Sequence, residues 1–373
     1  MLPVTGLHRL EIRRMSSSFL DLKRYPDSKR GGLQAWDRAD ELLRMHIDSL
    51  DVKGKRLLVL NDTFGAISTH LIGTNLTVYT DSYLSDRAIR MNSNNEIAPI
   101  HSLASLDGLY DYVFYRFPKN LSFFEDQLCV LSRHLSQGAS LIGTSMVKHL
   151  PSGAFKLLER ITGKTSTSLA EKKARLVFAK FENGIAKNPY PLQVKVDSFE
   201  HPFINASNLF SREKLDQGTR FFLEWIPAGT FARILDLGCA NGIIGIGAKR
   251  KNPQARILFS DESAMAVESA KANYRNYFAD DAEFFWTNCF QGQAKESADL
   301  VLCNPPFHQG TLVLDDVAEQ MFRDAFVTLK RGGLLRVIGN GHLQYPHTLK
   351  RIFGNGKILG ANAKFVVIEA VKV

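Results

Sequence analysis

Apolar residues in this 373-residue chain gather into short runs, most of them closed by a turn residue. Runs of that length bounded by turns read as buried strands. In the first half they lie at 56–60, 76–79, 111–117, 140–143 and 175–179. In the second half they lie at 233–237, 256–260, 283–286, 299–303, 334–338 and 365–369. Between them the apolar spacing lengthens to the helical period. Trp36, Ala39, Leu43 and Ile47 mark a helix over 36–50. Further helices are expected at 216–225, 243–250, 263–277, 317–329 and 346–353. Residues 1–35 are polar, with one short strand expected at 8–13. Alternating strands and helices predict an α/β fold built on doubly wound, mostly parallel sheets.

Residues 182–191 are rich in turn formers and hold Pro189 and Pro191. A boundary there divides the chain into domains 1–190 and 191–373. The two halves look like copies. Residues 56–68 (RLLVLNDTFGAIS) lie without gaps on 233–245 (RILDLGCANGIIG), which sets Gly65 on Gly242. Residues 79–82 lie on 259–262, 111–118 on 299–306, and 174–177 resemble 363–366. The offset grows from 177 to 180 to 188, as loop insertions would produce. The copies differ where chemistry would sit. Val59 stands for Asp236, Asn61 for Gly238, and Arg116-Phe117 for Asn304-Pro305.

Composition narrows the classes. At 45% hydrophobic the chain can build proper cores. Cys129, Cys239, Cys289 and Cys303 lie far apart with no C-x-x-C pair. That disfavours a disulfide framework or a zinc site, and no metal is expected. No apolar run approaches the ~18 residues of a membrane span, and the start of the chain lacks a signal-peptide core. A cytosolic protein away from membranes is expected. Net charge is +9, unevenly spread. Residues 1–190 hold 26 Lys+Arg against 19 Asp+Glu, and residues 191–373 hold 21 against 19. The basic half suits a polyanion, most simply nucleic acid, as well as an ordinary solvated surface. The first copy, with its apolar scaffold kept and its chemical groups lost, reads as an inactive domain that binds or places RNA.

Two motifs carry candidate chemistry. The run 300–303 ends in Asn304-Pro305-Pro306-Phe307-His308. Two prolines stop the strand at its carboxyl end, where open α/β sheets bind ligands. Asn304 and the Pro305 carbonyl offer adjacent acceptors that suit a planar NH2 group, and Phe307 offers a face for a heteroaromatic ring. None of these is a strong base, nucleophile or metal ligand, so positioning and electrostatics are the expected means. The second motif, Asp236-Leu-Gly238-Cys-Ala-Asn-Gly242, is a glycine turn between strand and helix. Its spacing is not that of a dinucleotide fingerprint, and its acid suits a cationic ligand such as an ammonium. Asp261, 19 residues after Gly242, suits ribose hydroxyls. Bland readings exist: Asp236 as a turn cap, Asp261 as a helix cap, His308 as a rim residue, and Cys239 and Cys303 as packing residues.

The second half resembles a class I S-adenosylmethionine-dependent methyltransferase. The stretch 236–242 matches that family's first motif, Asp261 its acidic second motif, and Asn288 the residue after the third strand. Asn304-Pro-Pro-Phe307 matches the motif for methylating planar amino nitrogens. With Phe210-Ser-Arg212 and Leu215-Asp-Gln-Gly-Thr219 upstream, the chain resembles the bacterial ribosomal-RNA guanine-N2 methyltransferases. The resemblance implies two tandem Rossmann-like methyltransferase domains, the N-terminal one degenerate. It implies S-adenosyl-L-methionine held by Asp236, Gly238, Gly242, Asp261, Asn288 and Asn304, with Asn304, Pro305 and Phe307 catalytic. It further implies ribosomal RNA as the substrate, and a monomer is expected. Gln34-Ala-Trp36, 60–65 and 172–175 place it nearer the large-subunit (23S) branch than the small-subunit (16S) one. Adenine N6, cytosine N4 and glutamine-amide methylation, a non-catalytic assembly factor and a nicotinamide oxidoreductase are the competing classes.

Overall fold

A computed structural model of the chain describes residues 21–27, 32–306 and 312–373. The strand expected at 8–13, Phe307 and His308 lie outside the described residues. The chain forms two compact units, residues 1–189 and 190–373.

Unit two carries a seven-stranded sheet. Its strands are β9 (Arg233–Leu237), β10 (Arg256–Asp261), β11 (Glu283–Trp286), β12 (Ala298–Cys303), β13 (Leu329–Asn340), β14 (Lys357–Ala361) and β15 (Phe365–Val371). They lie in the order β11-β10-β9-β12-β13-β15-β14. The first five are parallel, while β15 pairs antiparallel with both β13 and β14. Ile234, Leu235, Leu300, Leu302, Val337 and Ile368 are fully buried, as strands covered on both faces require. Strand order reverses between β9 and β12, which creates the crevice where such sheets hold ligands. A hairpin not expected from the sequence, β7 (Leu192–Val194) with β8 (Phe203–Asn205), precedes the sheet. Its strands are too short to show alternation.

Unit one carries a six-stranded sheet of β1 (Arg56–Leu60), β2 (Asn75–Tyr79), β3 (Tyr110–Arg116), β4 (Leu135–Met146), β5 (Thr165–Thr167) and β6 (Ala174–Lys180). They lie in the order β2-β1-β3-β4-β6-β5. This is the order of unit two with one edge strand missing. A single parallel bridge, Tyr79 to Ile100, stands where β11 would pair. Pro99 lacks the N–H a ladder needs, and Asn94 and Asn95 take positive φ, so the segment cannot run as a strand.

Pairing registers test the repeat position by position. Leu57 pairs Tyr112 as Ile234 pairs Leu300, which supports the offsets of 177 and 188. The carboxylates of Asp111 and Asp299 accept from the equivalent N–H groups of Arg56 and Arg233. Two segments need correction. Leu60 pairs Tyr79, whereas Leu237 pairs Ser260, so the second strand is offset by 181 rather than 180. Thr80, not Asp81, therefore stands for Asp261. The last strands shift likewise: Met146 pairs Ala174 as Asn340 pairs Phe365, so Ala174 stands for Phe365. Short apolar runs align about equally well in neighbouring registers, and hydrogen bonding decides between them.

Candidate active site

The turn after β9 is built on backbone that side chains rarely adopt. Gly238 and Gly242 have φ of +78° and +82°. A Cβ at Gly238 would come within 3.0 Å of Met321 Cε, and one at Gly242 within 3.0 Å of Ala270 Cβ. The positive φ favours glycine at both positions, and at Gly242 the Ala270 backbone close by adds a steric reason. The N–H groups of Gly238 and Cys239 donate to the Ser260 carbonyl and draw the turn against the end of β10. Asp261, the last residue of β10, accepts from Ala240 N–H at 2.9 Å and Ser263 N–H at 3.0 Å. The helix cap is Ser263 itself, whose hydroxyl accepts from Ala266 N–H.

Asp236 sits deeper than an exposed ammonium site would place it. It is fully buried, and its Oδ2 accepts from Gly245 N–H at 2.8 Å. Its Oδ1 has no partner. Burial pushes its carboxyl up to about 7, against the pull of the Gly245 N–H. The sign follows from that rise. Folding takes up a proton between the ordinary carboxyl pKa and about 7, so this group's contribution to stability falls as pH rises through that window. Asp236→Asn is expected to match the parent near pH 4 and to gain thermal stability relative to it up to pH 7, with no further gain above. Unfolding midpoints measured across pH check this; a parallel pH dependence in both proteins would refute it.

Asn288 follows β11 and is buried, its Nδ2 donating to Gln291 Oε1 at 3.3 Å. Cys239 and Cys303 are buried, and burial pushes both thiols well above the ordinary range, so they pack rather than react.

Asn304 follows β12. Its neighbour Cys303 pairs Leu237, so Asn304 and the glycine turn leave the sheet side by side at the switch point. Its Nδ2 donates to Thr219 Oγ1 at 3.1 Å, and its Oδ1 is buried without a partner among the described residues. Thr219 lies on the helix Gln217–Glu224, whose N-cap Asp216 accepts from both the Thr219 N–H and its hydroxyl. The carboxylate can only accept, so the hydroxyl must donate to Asp216 and accept from Asn304. That chain of bonds fixes the amide with nitrogen inward and oxygen free. Sequence reading missed the roles of Asp216 and Thr219.

A signal for them was present in the repeat. Unit one begins its helix Arg38–Ile47 at the N-cap Asp37, with Asp40 three residues on, as Asp216 precedes Thr219. Arg116, the counterpart of Asn304, donates to Asp37 and Asp40 at 2.7 Å each. The same three places are thus linked in both copies, by an ion-pair cluster in one and an amide–hydroxyl–carboxylate chain in the other. Arg116 is committed to this cluster and is not free for RNA. Other counterparts are closed too. Asn61 (φ +59°) replaces Gly238 and exchanges hydrogen bonds with Gln127. Asp62 accepts from four backbone N–H groups, of Gly65 to Ser68. Thr80 accepts from Ser82 N–H where Asp261 accepts from Ser263. The cleft lined by Trp36, Asp62 and Arg116 measures about 140 Å³, below the ~300 Å³ at which small-molecule sites begin.

Among the described residues no cluster of three metal-ligating side chains occurs, and no helix is long and apolar enough to cross a membrane. The residues of unit two fit a nucleoside cofactor: two unpartnered buried carbonyl-type oxygens, of Asp236 and Asn304, flank a glycine turn with no room for Cβ atoms.

Sheet order, glycine turn and strand-end asparagine together define a methyltransferase of the class I fold, doubled in one chain. Residues 12–183 match the family described as RLMG N-terminal domain, and residues 200–369 the methyltransferase small domain. The chain belongs to the ribosomal RNA large subunit methyltransferase G family. It is 41% identical to the protein of that name from Pseudoalteromonas translucida (strain TAC 125), over 94% of this chain and 95% of that one. It is 40% identical to that of Streptomyces coelicolor (strain ATCC BAA-471 / A3(2) / M145), over 94% and 97%. Among solved structures it resembles a T. thermophilus 16S rRNA N2 guanine methyltransferase (RsmC) in complex with AdoMet and guanosine. That match has a TM-score of 0.76 at 22% identity, over 90% and 92% of the two chains.

Proposed function

We propose that this protein transfers a methyl group from S-adenosylmethionine to the exocyclic N2 of a guanine in large-subunit (23S) ribosomal RNA, acting in the cytoplasm as a monomer. The observation that carries the chemistry is the unpartnered Asn304 Oδ1, held outward by Thr219. A buried acceptor left unmatched costs about 1–3 kcal/mol, and a substrate N–H relieves that cost. Bound S-adenosylmethionine supplies a sulfonium-activated methyl, so the protein needs only to present a poor nucleophile. Asn304 Oδ1 and the Pro305 carbonyl would accept the two amine hydrogens and localise the nitrogen lone pair. Phe307 would stack the base. The proton leaves to water after transfer, with no side-chain base required. Asp236, Gly238, Gly242, Asp261, Asn288 and Asn304 would hold the cofactor. Unit one, with its counterpart positions filled, would serve RNA placement and bind no cofactor. The amine sits inside a stacked helix in duplex RNA, so the target is a flippable or unpaired guanine.

The test supplies radiolabelled S-adenosylmethionine and deproteinised ribosomal RNA, or assembled particles, from a strain lacking this gene. Label recovered as N2-methylguanosine in large-subunit RNA is the expected result. The same nucleoside in small-subunit RNA would overturn the branch, and no transfer to any of these substrates would overturn the reading.

A further inference from the structure

We infer a second RNA-contacting site in the catalytic unit, a cleft that takes the ribose-phosphate backbone next to the target guanine; this rests on the RNA-methylating reading above. The cleft measures about 460 Å³ and lies between residues 193–197, at the β7–β8 hairpin, and residues 213–220. Lys195, Lys214 and Arg220 line it. All three are exposed, and none makes an ion pair among the described residues. Of the two acids on its wall, Glu213 is paired with Arg212. Asp197 remains, and a carboxylate suits a ribose 2′-hydroxyl as readily as it opposes a phosphate.

Both walls are tied to the reaction site. Arg220 follows Thr219 on one helix, and Thr219 holds Asn304. The hairpin strand β8 ends at Asn205, whose Oδ1 accepts from Asn241 Nδ2 in the cofactor turn at 2.9 Å. Asn273 ties the same strand down, accepting from Ile204 N–H and donating to the Ile204 carbonyl. A polyanion seated in this cleft would therefore lie within one helical turn of the residue that orients Asn304. A backbone beside a flipped base must pass that close. Lone cations gathered at a concave surface are a poor arrangement for stability and a good one for phosphates.

The test uses the full-length protein, a radiolabelled large-subunit rRNA fragment and S-adenosylhomocysteine in place of the methyl donor. Affinity is measured across salt concentration for the parent, for Lys195→Ala/Lys214→Ala/Arg220→Ala, and for each single Ala variant. Three lost phosphate contacts on single-stranded RNA lower the slope of log affinity against log salt by about 2, or roughly 100-fold at 0.1 M. Each single variant should lower it by about 0.7. S-adenosylhomocysteine affinity should hold in all of them, which also reports an intact fold. If the parent binds this RNA, and methylates it when S-adenosylmethionine is supplied instead, while the variants keep its slope and affinity, the cleft is refuted alone. If the parent neither binds nor methylates rRNA, the functional reading falls and the cleft with it.

Discussion

Asn304→Ala is expected to lower kcat on ribosomal RNA by about 10²–10³-fold, the usual cost of removing one preorganised polar contact at a reacting group. The fold should survive it. Asn304 Oδ1 makes no bond among the described residues, so the substitution removes one Nδ2–Thr219 contact together with one stranded acceptor. Those terms oppose each other at about 1 kcal/mol each, and the unfolding midpoint should barely move. S-adenosylmethionine should still bind, its affinity changed by no more than a few fold. Single-turnover rates under saturating cofactor, with calorimetric affinity beside them, separate the two roles written for this residue. Loss of cofactor binding with near-normal transfer at high cofactor would assign Asn304 to the cofactor alone. Asn304→Asp should be no better than alanine. It keeps an acceptor, but it sets a second carboxylate against the single Thr219 hydrogen that Asp216 already takes.

The parts of this site legible in the sequence are those whose chemistry is local. A glycine that must take positive φ, an acid closing a strand, and prolines that stop one all act through their own backbone. Gly238, Gly242, Asp261 and Asn304 could therefore be picked out from 1-D spacing. What was not legible depends on partners far along the chain. Asp236 reads in sequence as an acid beside the turn, yet its full burial and the Gly245 N–H that holds one of its oxygens come from the packing of the next helix. Arg116 stands in sequence simply as an Arg where the other copy has Asn304, yet two carboxylates some 76 to 79 residues earlier hold it. The one-residue error that set Asp81 on Asp261 has the same origin, because apolar strands do not carry their own register. Corrected, it sharpens the contrast between copies. The first copy has no acid at the place of Asp261, and Thr80 keeps the bond to the next helix cap.

Thr219→Val should be the second most damaging change, lowering kcat about 10- to 100-fold while cofactor affinity holds. Valine has threonine's shape, so the helix Gln217–Glu224 keeps its packing and keeps the Thr219 N–H bond to Asp216. What goes is the hydroxyl that reads the Asn304 amide. An amide without that partner can turn over and present its NH2 outward, where it meets the substrate amine donor to donor. The loss therefore falls on kcat and on discrimination against carbonyl-bearing bases, not on folding. Thr219→Ser should recover most of the rate, because the hydroxyl returns without the methyl. Asp216→Ala should do more harm than its capping role predicts. A lost N-cap costs about 1 kcal/mol of helix stability, but here it also frees the hydroxyl to donate to Asn304 and reverse the amide. The copy in unit one shows what the architecture tolerates at these three places, an Arg116 ion-pair cluster in place of the amide, hydroxyl and carboxylate. Rates for Thr219→Val equal to the parent, with Asn304→Ala inactive, would mean that the amide is held by something other than this relay.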